Sequence, residues 1–330
     1  MTSNIWESQV LASVVPVVEG AKHVSVNQDS IRSTAGWMAY EEFTPPDGSL
    51  QFDFGSDPDV IMDFQMVLNT MNFAFTDFRS GTKFEADYLG RRWSDSEAVV
   101  ACVHRALSAG IPFLSGDYLA NLTRSDLEQV FDGTIEMPLL DDRVELFNSV
   151  GATLVETYEG RYANFVRSCK PRLYGGGEGL LDRLPEEFPR FRDVSVYNGS
   201  KVYLYKLAQL GIWGMHLALS PRGQWALEDP EMISAFADYI VPVGLRVTGI
   251  FSYDEQLEKD IMNGVEVPAN SDQEIELRAA SIFVIARLTE EINALRPGMT
   301  PLLQPQVDYR IWKAYHATHF PHHLTVTRMY

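Results

Sequence analysis

The sequence predicts a mainly α-helical protein with one or two small β-hairpins. Three observations support this prediction: apolar residues recur with helical spacing along most of the chain, capping patterns precede several of these stretches, and alternating strand patterns are rare. Residues 94–109 illustrate the helical signal, because Ser94 and Glu97 have capping-box spacing and Gly110 follows the last apolar position. Their apolar side chains fall on one face: Val99, Cys102, Val103, Ala106 and Leu107.

The same signals predict four further helices. These are a short helix opened by Thr123 and Asp126, a longer one over residues 140–158, a long one from Ser271 to about Leu295, and a last one that follows Pro305 and runs through residues 307–316.

Two segments are typical of β-hairpins. In residues 193–205, Asn198-Gly199 separates two runs of β-branched and aromatic residues, which is the signature of a type I′ turn. A second hairpin is predicted over residues 82–93, with its turn at Leu89-Gly90.

A glycine-rich run over residues 173–179 interrupts the helical pattern. Phosphate-binding glycine loops follow a strand and have a fixed spacing to a later Lys or Gly, and neither feature is present here. We interpret the run as a flexible connection. The chain is predicted to form one domain over residues 1–330, in which two helical lobes could be joined near residues 173–192.

Composition excludes several classes of protein. The net charge of −18, from 45 acidic and 27 basic residues, argues against a nucleic-acid polymer as partner, although a small basic patch could still bind one phosphate. The chain has two cysteines, no recognisable signal peptide and no apolar run of about 18 residues. We therefore expect a cytoplasmic protein with no membrane partner.

The histidines near the C-terminus raise the possibility of a metal site. His316, His319, His322 and His323 lie close together in the sequence, but Pro321 breaks a shared helical face and no Cys or HExxH motif accompanies them. We expect no metal and no cofactor. A histidine that lines a substrate pocket is the better hypothesis, with His323 as the candidate.

One acid stands out in an apolar stretch. Asp238 is the only charged residue in 232–245, a segment predicted to form a helix that starts at Pro230 and is disrupted or ended by Pro242. Such an acid either accepts backbone hydrogen bonds at a helix end or serves as a functional carboxylate in an apolar pocket. The residues alone favour the structural role, because buried acids usually have hydrogen-bond partners.

Six sequence blocks occur in order along the chain. They are LNTMNFAF (68–75), VHRALSAGIP (103–112), FRDVSVYNGSKVYLYKLAQ (191–209), FADYIVP (236–242), QEIELRAASI (273–282) and VDYRIWKAYH (307–316). From about residue 20 onward, the chain resembles the queuosine 5′-phosphate N-glycosylase/hydrolase family, also called queuosine salvage protein.

The resemblance implies a reaction and a catalytic residue. It implies hydrolysis of the N-glycosidic bond of queuosine 5′-monophosphate, which releases queuine and ribose 5-phosphate, and a helical fold similar to the DNA glycosylase superfamily. It also places the catalytic aspartate of the FADY block at Asp238. A carboxylate suits this chemistry because cleavage of the C1′–N bond develops positive charge on the ribose. The alternatives are a non-catalytic nucleotide- or base-binding protein and a metal-dependent hydrolase.

The small-molecule substrate implied by the resemblance suggests roles for further residues. Phe236 and Tyr239 would flank Asp238. The 5′-phosphate needs a cation, for which Lys206 is the first candidate and Lys201 the second. The remaining predicted pocket residues are Asp308 with Tyr309 for the amine of the base, Phe75 or Trp312 for stacking on its ring, and His23 near the start of the matched region. We expect a monomer, since the sequence contains no coiled-coil pattern or dimer seam.

Overall fold

The computed structural model describes residues 4–43 and 52–330, and these ranges form mostly α-helix. The α-helices are α1 (Gln9–Gly20), α2 (Gln28–Met38), α3 (Pro58–Thr70), α4 (Asp95–Ser108), α5 (Gly116–Ala120), α6 (Arg124–Val130), α7 (Leu140–Thr157), α8 (Tyr162–Ser168), α9 (Leu180–Glu187), α10 (Lys206–Leu219), α11 (Val241–Val247), α12 (Glu255–Met262), α13 (Asp272–Ala294) and α14 (Gln304–Tyr315). The strands are β1 (Val24–Val26), β2 (Glu85–Tyr88), β3 (Arg91–Ser94), β4 (Val194–Tyr197), β5 (Ser200–Tyr203) and β6 (Phe251–Tyr253).

The five helices predicted from apolar spacing and caps are confirmed, and their caps differ in detail. Thr123 and Asp126 form the predicted capping box of α6, and the Ser271 side chain accepts a hydrogen bond from the Glu274 N–H at the start of α13. Ser94 is the N-cap residue of α4 but makes no side-chain cap hydrogen bond. The capping-box prediction was therefore wrong for Ser94, although the helix begins where it indicated.

Both predicted hairpins are present. Strands β4 and β5 pair antiparallel, and the turn residues Asn198 and Gly199 have φ of 47° and 79°, the positive pair that a type I′ turn requires. Strands β2 and β3 pair in the same way around Leu89 (φ 50°) and Gly90 (φ 74°). A further antiparallel pair, β1 with β6, was not predicted, because strands of three residues that lie far apart in sequence leave no local signal.

Helix α13 lies at the centre of the fold. It contacts α1, α2, α11 and α14, and its buried residues include two acids and an arginine as well as apolar side chains. Of the described helices, none is long and apolar enough to cross a membrane. The buried apolar residues on both sides of positions 173–192 belong to one cluster. The division into one domain or two lobes stays a prediction.

The glycine-rich run, which the sequence analysis interprets as a flexible connection, is a folded loop whose backbone is hydrogen-bonded. The N–H groups of Gly175, Gly177 and Gly179 all donate to Oδ2 of Asp182, at 2.7, 2.9 and 3.1 Å. Asp182 lies in the first turn of α9, and the glycine backbone curves around its carboxylate. The curvature requires positive φ at Gly176 and Gly177, which glycine adopts without steric cost.

The segment around Asp238 also differs from its prediction. Residues Pro230–Met232 form one 3₁₀ turn, residues 233–240 have no helical structure, and α11 begins at Val241 with Pro242 in its first turn. Pro242 therefore helps to start a helix and does not end one, since the first turn of a helix needs no N–H from its proline.

Candidate active site

Side chains from three helices hold the non-helical segment that carries Asp238. Gln209 of α10 exchanges hydrogen bonds with the side chain and backbone N–H of Ser234, at 2.9 Å each. Asp308 of α14 accepts from the Phe236 N–H at 3.0 Å, and Arg278 of α13 donates to the Ala237 carbonyl at 3.3 Å. The backbone before Asp238 is thus fixed without being helical.

The Asp238 carboxylate uses its two oxygens differently. Oδ1 accepts from the N–H groups of Ile240 and Val241, at 2.8 and 3.0 Å, and so caps the start of α11. Oδ2 has no hydrogen-bond partner among the described residues, although the residue is only 7% exposed. The structural role and the functional role considered from sequence are therefore compatible, because one oxygen serves the helix and the other is available to a ligand.

Lys206 contributes a buried cation beside this carboxylate. It is the first residue of α10 and follows Tyr205, whose φ is 50°. Burial lowers the pKa of Lys206, and the opposing influence of the Asp238 carboxylate is the largest that raises it. Its ammonium makes no ion pair with any residue that the structure describes. A ligand anion could therefore bind it.

Asp308 completes a cluster of three ionisable side chains. Burial raises the pKa of Asp308 well above its usual value, and the nearby Asp238 charge raises it further. The backbone hydrogen bond from Phe236 and the charge of Lys206 act in the opposite direction. Asp238, Lys206 and Asp308 come from three separate parts of the chain, and we call them the charged cluster.

Two buried residues that sequence reasoning did not single out lie behind the charged cluster. Asp193 and Arg278 form a bidentate ion pair, with Nη1–Oδ1 at 2.9 Å and Nη2–Oδ2 at 2.6 Å, and they are 4% and 2% exposed. Glu274 lies 3.6 Å from the same guanidinium. Asp193 lies in the sequence block 191–209, and Arg278 lies in the block 273–282. The arginine in the apolar stretch of α13 was the signal that could have revealed the pair.

Aromatic residues border the charged cluster. Tyr239 packs against His322, with ring centroids 4.6 Å apart. The pKa of Tyr239 is raised by burial and then by the Asp238 charge, so its hydroxyl stays protonated. Phe236, on the same segment, is 7% exposed. His322 is a third residue that the sequence analysis did not assign to the pocket.

His323 lies on the Arg278 side of the cluster. Its Nε2 is 3.2 Å from the Tyr330 hydroxyl, and the Tyr330 ring lies 4.6 Å from the Arg278 guanidinium. Burial lowers the pKa of His323 to about 3, so the ring is neutral at physiological pH. No group of three or more potential metal ligands is found among the described side chains.

No hydrogen bond, ion pair or ring contact joins the other predicted pocket residues to the charged cluster in the described chain, although Tyr309 directly follows Asp308. Tyr309 stacks near Trp312, and Trp312 stacks on His316 along the partly exposed face of α14. His23 pairs with Asp254 next to β1, Phe75 lies near the Arg143 guanidinium, and Lys201 is exposed on β5. Their roles stay predictions, and the proposal below does not use them.

Comparisons with known proteins agree with the sequence resemblance. The family described as queuosine salvage protein matches residues 52–330. A Sphaerobacter thermophilus protein named queuosine 5′-phosphate N-glycosylase/hydrolase is 31% identical, over 97% of both chains. Proteins with the same name from Mus musculus (26% identical, 90% of this chain and 89% of the relative) and Schizosaccharomyces pombe (29% identical, 70% and 69%) are also similar. The chain belongs to the queuosine salvage protein family.

Proposed function

We propose that the protein hydrolyses the N-glycosidic bond of queuosine 5′-phosphate, with Asp238 as the carboxylate that acts at C1′. Water is consumed, and the products are queuine and ribose 5-phosphate. The names of the relatives support the reaction. The observation that carries the residue assignment is the unpartnered Oδ2 of Asp238, held in a buried site beside a cation and a second acid.

The arrangement of Asp238 suits a reaction that develops positive charge on a sugar. As the bond from C1′ to the base nitrogen breaks, its electrons leave with the base and the ribose becomes oxocarbenium-like. A nearby carboxylate stabilises this charge more strongly in a buried site than in water. Because two backbone N–H groups already fix Oδ1, the other oxygen needs little reorganisation when the charge appears.

Lys206 is proposed to bind the 5′-phosphate. Its buried ammonium forms no ion pair with a carboxylate in the described chain, so it is free to donate charge-assisted hydrogen bonds to phosphate oxygens. Its position at the start of the 14-residue helix α10 adds the partial positive charge of a helix N-terminus. Phosphate binding at this point would direct the sugar toward Asp238.

Asp308 is proposed to bind the amine on the cyclopentenediol arm of the base. One of its oxygens accepts from the Phe236 N–H, and the other has no hydrogen-bond partner among the described residues. Burial raises the pKa of Asp308, and an ammonium group nearby would favour the ionised carboxylate. Phe236 and Tyr239 would supply apolar and aromatic surface next to the reacting bond.

We further propose that the substrate is a mononucleotide and that the protein acts as a cytoplasmic monomer. The net charge of −18 supports a small ligand, because a polynucleotide would be repelled by most of the surface. Comparing the turnover of the mononucleotide with that of queuosine-containing RNA tests this choice, and sedimentation measures the oligomeric state.

The deciding experiment is a turnover assay. The purified protein is incubated with queuosine 5′-phosphate, and free queuine and ribose 5-phosphate are quantified by mass spectrometry, with and without excess chelator. Release of both products at equal rates in both conditions supports the proposal. Tight binding without release would favour a nucleotide- or base-binding protein, and activity lost in chelator and restored by metal would favour a metal-dependent hydrolase.

A further inference from the structure

We propose that Asp193 and Arg278 are positioning residues that fix Asp238 and Lys206 relative to each other. The inference rests on the function proposed above, since it gives these residues a part in that reaction without contact to the substrate. A continuous chain of hydrogen bonds from Lys206 to the residue before Asp238 carries it.

Asp193 controls the start of α10. Its carbonyl accepts from the N–H groups of Leu204 and Tyr205 at 3.0 and 3.3 Å, and its Oδ2 accepts from the Lys206 N–H at 3.2 Å. Three consecutive residues are thus bonded to one aspartate at the point where Tyr205 adopts positive φ. Positive φ is energetically unfavourable for a non-glycine residue, so the surrounding hydrogen bonds must impose it on Tyr205. The direction in which Lys206 enters the site follows from this turn.

Arg278 extends the same connection to the catalytic segment. Its two terminal nitrogens bind the Asp193 carboxylate, and its Nε donates to the Ala237 carbonyl at 3.3 Å. Ala237 directly precedes Asp238. One ion pair therefore joins the backbone at the cation to the backbone beside the acid.

Stability alone does not explain a buried ion pair at this place. Removing two charges from water costs several kcal/mol per ion, and a packed apolar pair often gives equal or greater stability. A planar guanidinium that binds a carboxylate and a carbonyl also fixes their relative orientation. Catalysis depends on such precision, because a shift of about 1 Å in a reacting group can cost roughly 100-fold in rate.

The experiment compares three conservative variants with a matched control. Arg278→Lys keeps the positive charge but loses the planar guanidinium that binds two groups at once. Asp193→Asn keeps the shape of the side chain but loses its negative charge. The double variant Asp193→Asn with Arg278→Gln removes both charges, so that neither is left buried without a partner. The control is Asp63→Asn. Asp63 is also buried and joins an arginine, Arg161, to the backbone N–H of Ala163, and among the described residues no hydrogen bond or ion pair links it to the charged cluster.

The readouts are kcat and KM for queuosine 5′-phosphate, together with circular dichroism and thermal midpoint. We expect each folded Asp193 or Arg278 variant to lower kcat by about 10- to 100-fold. For Arg278→Lys, KM should stay within about threefold, because the start of α10 keeps its bonds to Asp193. Asp63→Asn should keep kcat within about threefold even where its thermal midpoint falls.

Several outcomes would overturn the inference. Unchanged kcat in the folded variants, losses no larger than that of Asp63→Asn, or full kcat in the double variant would each show that the pair has no positioning role. If none of the three variants folds, the pair is a folding element only. A wild-type protein without turnover would instead overturn the proposed function, and the inference with it.

Discussion

At the scale of single residues, Asp238 combines a capping role with a proposed catalytic one. Its Oδ1 satisfies two N–H groups at the start of α11, which places the second oxygen without help from the substrate. A carboxylate at this position stays ordered in an apolar neighbourhood because half of its hydrogen-bonding capacity is used by the backbone. The two roles require the same residue type for different reasons.

Replacing Asp238 with Asn separates these roles. We expect Asp238→Asn to lower kcat by at least about 1000-fold, because the charge that stabilises the transition state is removed. The fold should persist, since the Asn carbonyl can still accept from Ile240 and Val241. Turnover and circular dichroism measure the two effects. Asp57→Asn is the control, because the Asp57 side chain caps α3 in a comparable way, and this variant should keep the wild-type activity. A near-normal kcat in Asp238→Asn would refute the assignment.

The proposed role of Lys206 predicts a preference between substrates. We expect Lys206→Met to raise KM for queuosine 5′-phosphate by about 100-fold and to change KM for the unphosphorylated nucleoside little, because only the phosphate needs the cation. Steady-state kinetics with both substrates measures this difference. Lys201→Met is assayed in parallel, and a selective loss in that variant would place the phosphate at Lys201 instead.

The lowered pKa of Lys206 predicts that this preference depends on pH. A lysine with a lowered pKa loses its charge at a lower pH than an ordinary lysine, whose reference value is 10.5. As pH rises, the wild-type KM for the phosphorylated substrate should therefore increase before the solution reaches that value. The nucleoside serves as the internal reference, and a constant ratio of the two KM values over this range would contradict the assignment.

At the scale of elements, the site depends on where helices begin. Lys206 is the first residue of α10, Asp238 caps α11, and Asp308 lies in α14, one turn after its start. The ends of helices expose backbone groups that side chains can bind, and they place side chains where chain segments meet. The glycine loop before α9 uses the same principle, with Asp182 at its centre.

The Asp182 loop gives a prediction about stability. We expect Asp182→Ala to reduce the free energy of unfolding by about 2 kcal/mol, because three N–H groups lose a charged acceptor. Asp141→Ala is the comparison, since the exposed Asp141 carboxylate pairs with Arg124 at the surface and should cost less than about 1 kcal/mol. Urea unfolding measures both. Equal, small losses would return residues 173–179 to their interpretation as a flexible connection.

At the scale of the whole molecule, the segment after α14 ties distant elements together. The Leu324 carbonyl accepts from the Val267 N–H at 2.8 Å, and the Thr325 hydroxyl donates to the Val267 carbonyl at 2.8 Å. Arg328 lies 3.4 Å from both Asp142 and Glu145 of α7. His322 places this segment against Tyr239, which follows Asp238, and His323 joins it through Tyr330 to Arg278, so the surroundings of the site come from much of the chain.

The buried His323 makes the stability of the whole fold sensitive to acid. Its pKa is lowered to about 3, whereas the unfolded chain binds the proton near the ordinary value of 6.5. Below that value the unfolded state binds more protons, so this contribution to stability is lost as pH falls from about 6.5 toward 3. We expect the unfolding free energy of His323→Gln to fall less steeply than that of wild type between pH 7 and 4.5, as measured by urea unfolding. Parallel curves would contradict this linkage.

The parts of the fold that the sequence predicted correctly depend on local signals. The positive φ of Asn198 and Gly199, the capping box of Thr123 and Asp126, and the start of α13 after Ser271 are each set by residues that are near neighbours in the chain. The pairing of β1 with β6 could not be predicted, because it joins residues more than two hundred positions apart. The non-helical segment 233–240 was missed for a related reason, since Gln209, Asp308 and Arg278 hold it from distant helices.

The sequence by itself determined the family, the helical class and the candidacy of Asp238, because ordered motifs and periodicity are properties of the chain alone. Only the tertiary structure decided which charges lie together. It placed Lys206 and Asp308 with Asp238, left Lys201 exposed, and revealed that Asp193 and Arg278 link the backbone at Lys206 to the backbone beside Asp238. Burial and pairing arise from contacts between distant segments, and the same lysine or aspartate is a solvated surface group or a buried functional one according to those contacts.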